Sequence, residues 1–294
     1  MKYFLASFAF ALLAATTPLT QAQEFDMSLP APTKSGYAPV NGIEMAYAVF
    51  GQGEPLVLLH GGLQNRDDFG PVLTELAKSH EVIAVDFQAH GRTQPFDRPM
   101  SFDAFATDIA DLIRWLGHES ADVAGYSMGG ITAIRLAVDH PDVLDRLVVV
   151  SAPYAYSGWH EYNAEGMRSI GAHLAEEMMQ TPLYEAYAAI APDPTNFPKL
   201  LDQMGSFIGN DYDWSAEVRK IAAPTLIVVA DYDAVRISHA THFFELLGGG
   251  QADGGWAGEG MTPNRFAVIP GATHYTINTD LRLAAAINDF LAIE

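Results

Sequence analysis

The stretch ADVAGYSMGGITAIRLAVD, residues 121–139, changes its periodicity within three residues. Ala121 to Ala124 is a short apolar run of strand character, and from Met128 to Asp139 apolar residues recur at helical spacing. Between them stands Gly125-Tyr126-Ser127-Met128-Gly129, a Gly-x-Ser-x-Gly pattern at the passage from strand to helix. A turn that tight needs small residues on both sides, and it pushes the serine hydroxyl out at the C-terminal edge of a sheet. The alternative, an ordinary glycine-lined turn, explains the glycines but not their position between a strand and a helix.

Outward from this segment the same alternation continues. Short apolar runs at Ile43–Phe50, Pro55–Leu59, Val82–Val85, Leu147–Val150, Leu226–Ala230 and Phe266–Ile269 read as strands. Runs such as Leu56-Val57-Leu58-Leu59 have no polar alternation, which marks strands covered on both faces. Helical patterns lie between them at Phe69–Lys78, Phe102–Leu116, His239–Leu247 and Leu281–Leu291. Strand then helix, repeated, predicts an α/β protein with a mostly parallel central sheet and helices on both faces. Residues 28–39 read as a proline-containing lead.

Two intervals break the rhythm. Residues 154–214 separate two core strands, carry a helical stretch at Glu165–Gln180, and hold Pro182, Pro192, Pro194 and Pro198 as breakers. This predicts a helical cap over one end of the sheet, inserted into a core formed by residues 23–153 and 215–294. Gly248 to Gly260 holds seven glycines in 13 residues and reads as a flexible loop.

With 16 Lys+Arg against 36 Asp+Glu, the formal charge is −20, and no basic run interrupts it. Nucleic acid and anionic membrane surfaces are thereby disfavoured as partners; the acidity itself reads as solubility and names no substrate, and the expectation of a small-molecule substrate rests on the site residues. At the N-terminus, Lys2, the apolar run Tyr3–Ala15 and the small residues of Thr20-Gln21-Ala22 have the form of a secretory signal peptide over residues 1–22. That predicts export to a periplasm or beyond, with no membrane association after cleavage. The run is shorter than the roughly 20 apolar residues of a spanning helix. The absence of cysteine excludes disulfides. Oligomeric state leaves no trace in a single sequence.

A serine hydroxyl is a weak nucleophile at neutral pH and needs a base, itself oriented by a carboxylate. Two later strands deliver both at the same edge. Leu226–Ala230 is followed by Asp231-Tyr232-Asp233, and Phe266–Ile269 by Pro270-Gly271-Ala272-Thr273-His274. His239 and His242, three apart on a helix, are at best half a metal site, and Asp211/Asp213 lack a calcium-loop pattern. Neither a metal nor a cofactor is expected.

With the serine turn, the Asp/His pair, His60-Gly61-Gly62 and the Asp86–Thr93 stretch holding His90-Gly91, the chain resembles the capped branch of the α/β-hydrolase fold family. That branch includes enol-lactonases, carboxylesterases, cofactor-free haloperoxidases and carbon–carbon bond hydrolases. The resemblance covers residues 40–294 outside the insertion. It implies a catalytic triad of Ser127, Asp233 and His274. The family's Gly-x-x-Asp turn appears here as Ala230-Asp231-Tyr232-Asp233, with Asp231 in reserve. It also implies an oxyanion hole of backbone N–H groups from Met128 and Gly62, with Leu63 as the alternative to Gly62. His60 and His90 are expected to brace loops. Epoxide hydrolases and dehalogenases of this fold attack with a carboxylate, whereas Ser127 occupies that place here.

The resulting expectation is a serine hydrolase of a carboxylic ester, lactone or related acyl bond. Leu63, Tyr126, Tyr154 and Trp159 are candidates for the substrate pocket. The aromatic residues at the start of the insertion, with Met178 and Met179, serve equally well as its own small core. An aminopeptidase would need an acidic anchor such as Glu161, Glu165, Glu176 or Glu177. A carbon–carbon bond hydrolase uses the same triad, and a non-catalytic ligand receptor can be built on the same scaffold.

Overall fold

The computed structural model describes residues 29–293. The signal-peptide expectation for residues 1–22 lies outside them. Among the described residues eight strands form one sheet: β1 (Lys34–Val40), β2 (Ile43–Phe50), β3 (Glu54–Leu59), β4 (His80–Val85), β5 (Ala121–Tyr126), β6 (Leu144–Val150), β7 (Thr225–Tyr232) and β8 (Arg265–Thr273). Their order is β1-β2-β4-β3-β5-β6-β7-β8. The β1/β2 and β2/β4 pairs are antiparallel and all others parallel.

Helices of the first half are α1 (Gly70–Leu76), α2 (Phe102–Leu116) and α3 (Met128–Asp139). Between β6 and β7 run α4 (Glu161–Arg168), α5 (Ala175–Met178), α6 (Pro182–Ile190), α7 (Phe197–Gly205) and α8 (Ser215–Val218), and α9 (Ile237–Leu246) and α10 (Leu281–Leu291) follow. Successive residues of the parallel strands feed opposite apolar layers. Leu56, Leu58, Val82 and Val148 pack with Leu73 and Leu76 of α1 and Ile287 and Phe290 of α10. Val57, Leu59, Ile83 and Val149 pack on the other face with Ile109 and Ile113 of α2, Ile131 and Ile134 of α3, and Phe243 of α9. Burial on both faces is why these runs lack polar alternation. Among the described residues no helix is long and apolar enough to cross a membrane.

Two expectations are corrected. The proline-containing lead is in part a strand: β1 pairs with β2 along its whole length, with Ala38 and Val40 buried and Tyr37 and Pro39 exposed. Proline lacks a donor, but at a sheet edge none is required of it. The helical stretch at Glu165–Gln180 is interrupted, because α4 ends at Arg168 and α5 begins at Ala175. At the break Ile170 turns its carbonyl oxygen onto α7, so close that a Cβ on Gly205 would stand 2.0 Å from it.

Candidate active site

The end of β5 and the turn that follows it are built around contacts that only glycine permits. A Cβ on Gly125 would lie 2.2 Å from the Gly129 carbonyl oxygen, and one on Gly129 would lie 2.2 Å from the carbonyl oxygen of Leu59 on the neighbouring strand. Ser127 between them has φ +53° and ψ −118°, a conformation costing a non-glycine residue about 1–3 kcal/mol. It is held there by its N–H, which donates to the Val150 carbonyl of β6 at 2.9 Å, and by α3 starting at the next residue. The hydroxyl stands half-buried at the C-terminal edge of the sheet.

His274 arrives from β8. Its Nε2 is 3.1 Å from Ser127 Oγ, and its Nδ1 is 2.9 Å from Asp233 Oδ1. Donating to the Asp233 carboxylate requires the proton on Nδ1, which leaves Nε2 as the acceptor facing Ser127. The His274 carbonyl receives the Tyr126 hydroxyl at 2.6 Å, and the imidazole lies between aromatic rings, with Trp159 5.5 Å and Tyr126 5.3 Å away centroid to centroid. Asp233 also accepts from the N–H groups of Ala230 (2.9 Å) and Val235 (3.0 Å) and from the Ser151 hydroxyl. Burial by itself would raise its pKa. The hydrogen bond and charge of His274, with those other donors, outweigh burial and hold the carboxyl below its ordinary value. Asp231, the reserve acid, instead accepts the Gly271 N–H at 2.8 Å, away from the imidazole.

The Gly62, Leu63 and Met128 N–H groups donate to no protein acceptor among the described residues. Gly62 and Met128 face one another: a Cβ on Gly62 would sit 3.8 Å from Met128 Sδ. The same position is 2.9 Å from Met204 Cε, which brings α7 of the insertion directly over this loop. His60 is fully buried, with Nδ1 donating to the Gly61 carbonyl at 2.7 Å and Nε2 accepting the Phe87 N–H at 3.1 Å. Burial lowers its pKa to about 4, so it is a neutral brace between the loops after β3 and β4. His90 is likewise buried and lowered to about 3, its Nδ1 on the Gln88 carbonyl. Asp86 receives the N–H groups of Arg66 (2.9 Å) and Arg92 (3.1 Å), and Gly91, at φ +51°, leaves room for that carboxylate.

The pocket candidates divide. Trp159 lies at the imidazole, and Leu63, at φ +61°, is half-buried beside Gly62. Tyr126 is beneath the site, bracing the His274 backbone, and Tyr154 turns away from it. Tyr154 stacks on His239 at 4.0 Å, and its hydroxyl is 2.7 Å from His242 Nδ1, so it packs the insertion against α9 rather than walling the pocket. Glu161, Glu165, Glu176 and Glu177 are all exposed. Among the described residues no three His, Asp or Glu side chains cluster as metal ligands. Open clefts of about 450 and 570 Å³ flank the stretch where Trp159 pairs with Val235, and Ser127 lines neither. Ser151, which touches the Asp233 carboxylate, is a site residue that sequence reasoning missed.

A family model for the alpha/beta hydrolase fold matches residues 54–248. Over 116 residues the chain is 37% identical to a soluble epoxide hydrolase of Corynebacterium sp. (strain C12), which is 38% of this chain and 40% of that protein. It is 31% identical to the human serine hydrolase BPHL over 159 residues, 52% of this chain and 54% of that one. The chain therefore spans only about half or less of the length of these relatives. In three dimensions a thermophilic esterase from Thermogutta terrifontis superposes with a TM-score of 0.67 at 22% identity, covering 89% of this chain and 98% of the other, a likeness of fold.

Proposed function

This chain belongs to the α/β-hydrolase fold family, and from that premise we propose that it is a serine hydrolase that transfers the acyl group of a small, largely apolar ester, lactone or related compound to water. The observation that carries the reading is the continuous series from Ser127 Oγ to His274 Nε2 (3.1 Å) and from His274 Nδ1 to Asp233 Oδ1 (2.9 Å).

In this reading His274 Nε2 takes the Ser127 proton as Oγ bonds to the carbonyl carbon. The negative charge that develops on the former carbonyl oxygen is received by the N–H groups of Met128 and Gly62, worth about 10²–10³ in turnover for each donor. Nε2 then returns the proton to the departing alcohol, leaving an acyl-Ser127 ester. A water molecule gives its proton to the same nitrogen, adds to the acyl carbon, and collapse of that intermediate frees the acid and restores Ser127. Throughout, Asp233 remains ionised, fixes the tautomer and offsets the charge of the imidazolium. Relatives named for epoxide or dehalogenation chemistry do not redirect the reading, because the position after β5 carries a hydroxyl and not a carboxylate.

A panel of p-nitrophenyl esters of increasing acyl length, with lactones, measured on wild type and Ser127→Ala tests it. Hydrolysis by wild type and its loss in the variant is the expected result. Retention of most activity by Ser127→Ala would exclude a serine nucleophile and favour a receptor or another chemistry.

A further inference from the structure

Ser151 directly follows β6, on the same sheet edge as Ser127, and its side chain is fully enclosed, with 1% of the residue exposed. Its φ of +50° is a conformation that glycine or asparagine would adopt more cheaply. Its N–H is fixed by the Val228 carbonyl of β7 at 2.8 Å, and its hydroxyl donates to Asp233 Oδ2. The carboxylate is thus divided evenly. Oδ1 receives His274 Nδ1 and the Val235 N–H, and Oδ2 receives Ser151 Oγ and the Ala230 N–H. The Ala230 and Val235 donors belong to Asp233's own turn. Ser151, just after β6, reaches the same carboxylate from a different part of the sheet edge.

We infer that Ser151 is a positioning residue of the proposed hydrolase: it locks the Asp233 carboxylate in the orientation that offers Oδ1 to His274 and, by drawing charge toward Oδ2, sets the basicity of that histidine. The inference rests on the serine-hydrolase reading above. The backbone strain at Ser151 then has a reason, since a glycine would relieve it but lose the hydroxyl. Besides His274, the titratable groups acting on this carboxylate are Tyr126 and Tyr275. Burial raises both phenols above their ordinary range, with the carboxylate's charge the next cause at Tyr126 and a smaller one at Tyr275, behind the opposing Asn163 hydrogen bond and the Tyr162 charge.

The test compares the full chain as wild type, Ser127→Ala, Ser151→Ala and Ser151→Gly on a short p-nitrophenyl ester, with active sites counted by organophosphate labelling. Per titrated site, Ser151→Ala and Ser151→Gly are expected to lose about 10- to 100-fold in kcat, the range for deleting a hydrogen bond to a charged group, with KM within about twofold. With less charge drawn from Oδ1, the acidic limb of kcat/KM moves to higher pH in both. Ser151→Gly should melt no lower than Ser151→Ala, because glycine accepts the positive φ. If Ser151→Gly keeps wild-type kcat per site and an unshifted acidic limb while Ser127→Ala is inactive, the positioning role is wrong and the hydrolase reading stands. If Ser127→Ala is itself active, the hydrolase reading fails and takes this inference with it.

Discussion

Ser127 Oγ stands 3.1 Å from His274 Nε2 across 147 residues of sequence. Nothing local joins them. The parallel sheet does, because β5 and β8 both end at the edge where the crossover helices begin, and a ligand or a reacting group gathers at that edge in open α/β sheets.

Asp231 near the end of β7 and Asp233 just beyond it separate the acid by experiment. Asp233→Asn keeps the shape but allows the imidazole the wrong tautomer, and ester hydrolysis should fall by about 10⁴ in kcat. Asp231→Asn disturbs only the acceptor of the Gly271 N–H and should stay within a few-fold of wild type. Steady-state kinetics on both variants checks this, and the opposite ranking would transfer the role to Asp231.

Met204 Cε covers the Gly62 loop, so the side chain should limit the room available to an acyl group there. Met204→Ala is expected to raise kcat/KM for an octanoyl ester relative to an acetyl ester by about tenfold, the low end of what one methylene is worth in an apolar pocket. An unchanged ratio would place the acyl group elsewhere.

At the opposite end of β5, Asp122 bears on stability alone. Burial raises its pKa to about 6, Arg146 opposes this, and Oδ1 has no hydrogen-bond partner. A carboxyl raised from 3.8 to about 6 favours the fold below pH 4, and that contribution is lost as pH rises through 6. Asp122→Asn should therefore stabilise the protein at pH 7 by about 1–3 kcal/mol, with the gain vanishing near pH 4 and activity unaffected. Thermal melts at both pH values measure it. Equal shifts at pH 7 and pH 4 would rule out ionisation as the cause.

Gly129→Ala sets a methyl group against the Leu59 carbonyl, where the backbone of β3 cannot give way. Loss of about 3 kcal/mol or more, seen as a lowered urea midpoint or failure to fold, is expected from such overpacking. A variant as stable as wild type would mean that the serine turn is looser than described.

The parts of this architecture legible in the sequence were those governed by short-range rules. Leu56–Leu59 reads as a doubly covered strand because no polar residue interrupts it, and Gly125–Gly129 reads as a strand-to-helix turn because few other sequences fit one. What escaped depends on partners that arrive later in the chain. Ser151 is an ordinary serine until Asp233, 82 residues on, turns its carboxylate toward it. The direction of Tyr154 is set by His239 and His242 on α9, which no periodicity within residues 154–214 encodes. β1 was obscured by Gly36 and Pro39, breakers in a central strand but tolerable at an edge.

Labelling the intact protein with a fluorophosphonate and locating the adduct by peptide mass spectrometry tests the central claim most directly. A single adduct on Ser127, formed rapidly in wild type and slowed by orders of magnitude in His274→Ala, is the predicted outcome. An adduct on another residue, or labelling of Ser127 at an equal rate without the imidazole, would contradict it.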